Sequence, residues 1–243
     1  MNIELETVEE RFEAEAPAPL LAVCGVGGGV GASTMAFLTA MHAQRFASSP
    51  ILLCDTGGPA ATLSVLAEKD SQLSLPQAAA AIGADALSVP LFVQLSPKLR
   101  LIARSPDLDD FLDPAGLTRL LHDARSAHPV TIVDCGSLQR PVERSVAEQA
   151  SAILWVAHGS PLGARRAHAA MRSLSLNAER EILAVRAGEG RDSAAEHELM
   201  SAAGLRNASL VFVPTLPEMS RASLGAALQS GHLALEAIRM RLT

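Results

Sequence analysis

Lysine is nearly missing from this chain. Of its 20 basic residues only Lys69 and Lys98 are lysines, and the rest are arginines. With alanine also abundant, the bias reads as the coding preference of a GC-rich genome and carries no functional signal. Cysteine is scarce as well: Cys24, Cys54 and Cys135 make an odd number with no CxxC spacing. That excludes a disulfide framework and leads us to expect a reducing cytoplasm. No apolar run reaches the roughly 18 residues that a membrane span needs. The first residues are acidic and lack an apolar stretch, so no signal peptide is expected. Net charge is −6, which excludes any overall attraction to nucleic acid or anionic lipid. No internal repeat is present.

What the chain does have is patterned apolar sequence. Apolar residues make up 49% of 243, enough for one large α/β core. Residues 1–19, MNIELETVEERFEAEAPAP, hold six glutamates and end in a Pro/Ala spacer. They read as an acidic flexible tail, or as a short helix that docks on a partner. From Leu20 onward, apolar runs alternate with amphipathic ones. Seven runs read as buried strands: LLAVCGV, PILLCD, LRLIAR, PVTIVDCG, SAILWVAH, EILAVRAG and ASLVFVP. Helices separate them, with Asp113 expected as an N-cap before Pro114. A single closing helix is expected over SRASLGAALQSGHLALEAIRMRL. Strands that are apolar throughout need cover on both faces. The expectation is one doubly wound α/β domain over residues 20–243, with a mostly parallel sheet of seven or so strands.

One loop stands out. Gly25 to Thr34 read GVGGGVGAST, directly after an apolar strand and directly before a helix. Backbone N–H groups converge at such a junction, and the helix dipole adds partial positive charge. Glycines let the backbone bend around a phosphate, and Ser33 or Thr34 offers a hydroxyl to Mg²⁺. The generic phosphate loop, G-x-x-x-x-G-K-[ST], would place its lysine at Ala32. Two further strands end in acids, at Asp55 and Asp134.

The loop, the two acids and their order together resemble the ParA/MinD ATPases, whose deviant Walker loop is K-G-G-x-G-K-[ST]-T. Gly28, Gly29, Val30, Gly31, Ser33 and Thr34 match that pattern. The family's signature lysine falls on Gly27, and its loop lysine on Ala32. PILLCDTGG resembles the second motif, with Asp55 as its first acid and Gly57 where a second acid would stand. HPVTIVDCGS resembles the Walker B strand, with Asp134 in the Mg²⁺-linked position. Within the family the chain looks most like the CpaE/TadZ branch of pilus and secretion systems, whose members usually carry a receiver-like N-terminal domain. Septum-site and partition-like relatives are equally shaped.

The resemblance implies a P-loop NTPase-like fold and a nucleotide site of Gly27, Gly28, Gly29, Val30, Gly31, Ala32, Ser33, Thr34, Asp55 and Asp134. Mg²⁺ would sit on Ser33 and Asp134, and Asp55 remains as a vestigial catalytic candidate. ATP with Mg²⁺ is the implied cofactor, though the missing lysines count against it. Losing one charge-stabilising contact costs roughly 10²–10³ in rate, and here two lysines and one acid are absent together. The implied protein is therefore a pseudo-ATPase: a homodimeric organiser or adaptor for a pilus, secretion, partition or division system. It would be cytoplasmic and recruited to a pole or the inner membrane, with membrane contact at most peripheral.

Two alternatives stand beside that reading. An active, ATP-cycling protein would borrow another cation, Arg104 or Arg186. A DNA-binding partition module would use Arg165, Arg166 and Arg172 with His168. The three cysteines suit a buried apolar role better than a metal or redox site. Leu224, Leu228, Leu235, Ile238 and Leu242 form a stripe expected to pack on the sheet, flanked by Arg239 and Arg241. Trp155 reads as core.

Overall fold

The computed structural model describes residues 17–56, 62–86, 89–103, 113–174, 176, 178–187, 193–217, 219–220 and 222–241. Among them the strands are β1 (Leu20–Gly25), β2 (Ile51–Asp55), β3 (Val93–Ser96), β4 (Leu99–Ile102), β5 (Thr131–Asp134), β6 (Ala152–His158), β7 (Arg180–Arg186) and β8 (Ser209–Val213). The helices are α1 (Ala32–Ala43), α2 (Thr62–Ala67), α3 (Leu75–Gly83), α4 (Pro114–Ala127), α5 (Pro141–Gln149), α6 (Pro161–Ser173), α7 (Ser193–Leu205), α8 (Leu224–Ser230) and α9 (His232–Arg239).

All eight strands form one sheet in the order β3-β4-β2-β5-β1-β6-β7-β8. Every neighbouring pair is parallel except β3 with β4. The α/β fold and parallel sheet are therefore as expected, with one strand more. The added strand, VQLS, has no fully buried residue. It lies at an edge, so its sequence never needed the continuous apolar run that marks a strand covered on both faces.

Helices cover both faces because both faces are apolar. Met35, Phe37 and Leu38 of α1 pack on one side with Leu235 and Ile238 of α9. Leu117 and Leu120 of α4, Val142 and Val146 of α5, and Met171 of α6 pack on the other. Trp155 belongs to this second layer and is fully buried, with Nε1 donating to Glu181 Oε2 at 2.7 Å. Local signals set the helix starts. The Asp113 carboxylate accepts from Ala115 and Gly116 N–H, both at 3.1 Å. Ser74 and Gln77 form a reciprocal capping box at α3.

Two expectations need correction. The closing helix is two helices, α8 and α9, separated by Gly231. In the expected stripe Leu235 and Ile238 are buried and Leu224 and Leu228 partly so, while Leu242 lies outside the described residues. The second correction concerns the tail. Residues 1–16 lie outside the described residues, but Pro17 to Pro19 are tied down. Arg125 Nε donates to Ala18 O at 2.7 Å, and Thr131 N to Pro19 O at 3.1 Å.

The topology fixes where a ligand can sit. From β1 the chain crosses over β5 to β2, on the α1 face. From β5 it crosses over β1 to β6, on the α5 face. These opposite departures leave a crevice at the C-terminal ends of β1 and β5, the usual binding position in open α/β sheets.

Candidate functional site

The glycine loop opens into that crevice. Gly25 N donates to Gly136 O at 2.6 Å and Val26 N to Val156 O at 3.0 Å, so the loop starts pinned between the ends of β5 and β6. Gly29 and Gly31 have φ of 74° and 92°, a left-handed backbone that other residues adopt at a cost. Gly31 is the N-cap of α1, and no side chain caps the helix there. The N–H groups of the first turn therefore remain directed at the loop's interior. Ala32 and Val30 are buried, Ser33 and Thr34 half-buried, and Gly28 and Gly29 exposed.

Beneath the loop sits a buried polar cluster. Asp55 and Asp134 end adjacent strands in register and are 7% and 3% exposed. The Ser33 hydroxyl lies near the Asp134 carboxylate and favours its charged form. Asp134 Oδ1 also accepts from Gly136 N at 3.0 Å. Burial pushes the Asp134 carboxyl above its ordinary value. The nearby Ser33 hydroxyl, the bond from Gly136 and the charge of Arg140 pull it back, and Glu143 adds an upward push. Thr56 locks β2 to β5, donating from N and Oγ1 to Asp134 O at 3.1 and 3.0 Å.

Sequence reading missed Arg140, Glu143 and Thr56. Buried Glu143 accepts from Gln139 N at 2.7 Å and Arg140 N at 3.2 Å through Oε2, and from Arg140 Nε at 2.9 Å through Oε1. Arg140 Nη2 reaches on to Thr56 O at 3.0 Å. The signal was available in RPVE, where an acid three residues past the N-cap follows a first-turn proline. Arginine is not a usual capping residue, which hid it.

Two arginines meet the loop from outside. Arg186 ends β7, and its Nη1 donates to Val30 O at 3.0 Å. A Cβ on Gly31 would collide with this guanidinium. Arg166, in α6, lies along Gly27, where a Cβ would sit 3.1 Å from Nη1 and 3.2 Å from Cδ. Of the substitute cations expected, Arg186 is thus at the loop, whereas Arg104, like Gly57, lies outside the described residues. Arg166, which the DNA-binding alternative places on a phosphate-facing patch, has its guanidinium resting on Gly27. Arg165, Arg166 and Arg172 are all exposed and His168 is half-buried.

The cysteines are buried thiols. Burial, aided by the Asp55 charge, pushes the Cys54 thiol well up. Burial first, then its contact with Cys24, pushes Cys135 well up. Thiolate is the form that binds metal or reacts, so their position favours packing. No cluster of three or more metal-ligating side chains occurs among the described residues.

An open α/β sheet with a glycine loop at its switch point, backed by paired acids, is the arrangement of a P-loop nucleotide-binding fold. Solved structures carry the comparison further. The ParA family ATPase of Chlorobium tepidum TLS superposes with a TM-score of 0.66 at 18% identity, over 92% of this chain and 94% of that one. MinD of Pyrococcus horikoshii OT3, complexed with Mg-ADP, gives 0.66 at 14%, over 90% and 93%. The MinC:MinD complex of Aquifex aeolicus gives 0.64 at 13%, over 93% and 92%. At such identities the likeness is one of fold, and that fold is the one seen in ParA and MinD ATPases. No protein-family model matches the chain. No curated protein matches it either.

Proposed function

We propose that this chain is a ParA/MinD-like positioning or adaptor protein that holds a nucleotide at its glycine loop and lacks efficient turnover. The carrying observation is the placement of Ser33, in the first turn of α1, near the buried Asp134 carboxylate at the end of β5, at the mouth of the loop. A hydroxyl and a carboxylate so placed would hold Mg²⁺, with the loop amides on phosphate oxygens. Mg²⁺ would there offset phosphate charge and order the phosphates. Ala32 brings no charge of its own, so the loop cannot follow charge as it develops in phosphoryl transfer. The fold neighbours support the same direction, since one is a MinD with Mg-ADP and another a MinD bound to MinC. A protein partner in a pilus, secretion, partition or division system suits an adaptor of this kind.

The account expects phosphate release from Mg-ATP no faster than background, and one oligomeric state in sedimentation with or without ATP. Mg-ATP should raise the melting temperature of the native chain, and Ser33→Ala should remove the Mg²⁺-dependent part of that rise. A dimer that forms only with ATP, together with steady turnover, would instead establish a second reading: an ATP-cycling protein. The observation favouring that second reading is Arg186 on Val30 O.

A further inference from the structure

The cations that reach the loop belong to neither the loop nor its helix. Arg186 comes from the end of β7 and Arg166 from the second turn of α6. One covers Gly31 at the helix end of the loop, and the other covers Gly27 at the strand end. Both glycines leave the space that the guanidinium groups fill, so loop and arginines fit each other.

Charge makes the placement informative. Four arginines are neutralised by acids, Arg119 by Asp85, Arg140 by Glu143, Arg206 by Glu181 and Arg239 by Glu236, while Arg125, Arg144 and Arg241 bond backbone carbonyls away from the loop. No ion pair to Arg166 or Arg186 occurs among the described residues. One guanidinium therefore lies at a helix N-terminus that is already positive and the other at the strand end of the same loop, in a chain of net charge −6. Like charges gathered in one place repel unless an anion sits among them. A guanidinium offers a fork of donors that matches phosphate oxygens two at a time.

We infer that Arg186 and Arg166 are the charge partners of a polyphosphate bound in the loop. Arg186 acts at its helix end and Arg166 at its strand end. This rests on the nucleotide reading of the loop and adds what that reading lacks, a source of positive charge within the same chain. It follows that binding needs no second copy of the protein. It also follows that a longer phosphate chain engages both arginines, whereas a shorter one engages Arg186 alone.

The test is calorimetry of the native chain and its variants with Mg-ATP, Mg-ADP and inorganic tripolyphosphate. Arg186→Ala should weaken all three about tenfold or more, as expected for losing a hydrogen bond to a charged group. Arg186→Lys should recover only part of the loss, because a point charge lacks the fork. Arg166→Ala should weaken Mg-ATP and tripolyphosphate more than Mg-ADP. Arg172→Ala, near the far end of α6, should bind as the native chain does. Unchanged melting temperatures without ligand would show that the variants fold. Native binding with Arg166→Ala and Arg186→Ala unaffected would overturn this inference alone. Tighter binding by Arg186→Ala would overturn it too, marking the guanidinium as a plug. A native chain that binds none of the three probes would overturn both this inference and the reading beneath it.

Discussion

The two ends of the sheet differ in what they bury. At the C-terminal end Asp55, Asp134 and Glu143 are nearly sealed from solvent, with Arg140 beside them and Arg166 and Arg186 above. At the N-terminal end a groove of about 580 Å³ is walled by apolar groups such as Pro17, Phe46, Ile51 and Val130, with Arg125, Arg180 and Arg239 contributing to its lining. The second arrangement is an open groove of mixed apolar and charged walls. The first does not follow from burial of apolar surface, because buried charges stabilise a fold less than apolar groups of the same size would. Polar residues retained at such a cost are what the proposed nucleotide site would use.

Substitutions can sharpen that contrast. Trp155→Ala strikes the core between the two ends and should cost about 3–5 kcal/mol in urea unfolding. It should harm both ends alike. Gly31→Ala acts at one end only. With φ at 92° and the Arg186 guanidinium in the way, it should cost about 1–3 kcal/mol and displace Arg186, so that Mg-ATP no longer raises the melting temperature. Arg125→Ala acts at the other end. Losing its bonds to Ala18 O and Pro17 O should cost about 1 kcal/mol and leave nucleotide binding as it was.

The smallest effect lies beside the N-terminal groove, where Arg239 pairs with Glu236, and depends on pH. Arg239, and then His42, hold the Glu236 carboxyl at about 2, below its ordinary 4.5. A carboxyl whose folded pKa is depressed contributes stability above its unfolded value, and that contribution is lost as pH falls through the folded one. Glu236→Gln should therefore be the less stable protein at neutral pH. The gap should close between pH 4.5 and about 2. Thermal melts at several pH values would measure it.

Much of the fold was legible because burial on both faces forces unbroken apolar strands. LLAVCG, ILLCD and AILWVAH could be little else. VQLS was not legible, since an edge strand carries no such constraint. The interruption at Gly231 was hidden by a stripe that continues across it, from Leu228 to Leu235 and Ile238. At the site, Gly27 to Thr34, Asp55 and Asp134 could be placed together because strand ends in a parallel sheet share one edge. Arg166 could not. Its position in α6 gave a helix face, and only the packing of α6 beside the loop turned that face toward Gly27. Glu143 and Arg140 were missed for a similar reason, because their importance lies in what they touch.

The central claim is that the loop still holds a nucleotide, and equilibrium binding of Mg-ATP to the native chain tests it most directly. The account predicts saturable binding at one site per chain, weakened when Mg²⁺ is removed and weakened again by Ser33→Ala. Heats no different from dilution, at protein concentrations where the chain is folded, would contradict it. The loop would then be a strand-to-helix turn kept for packing.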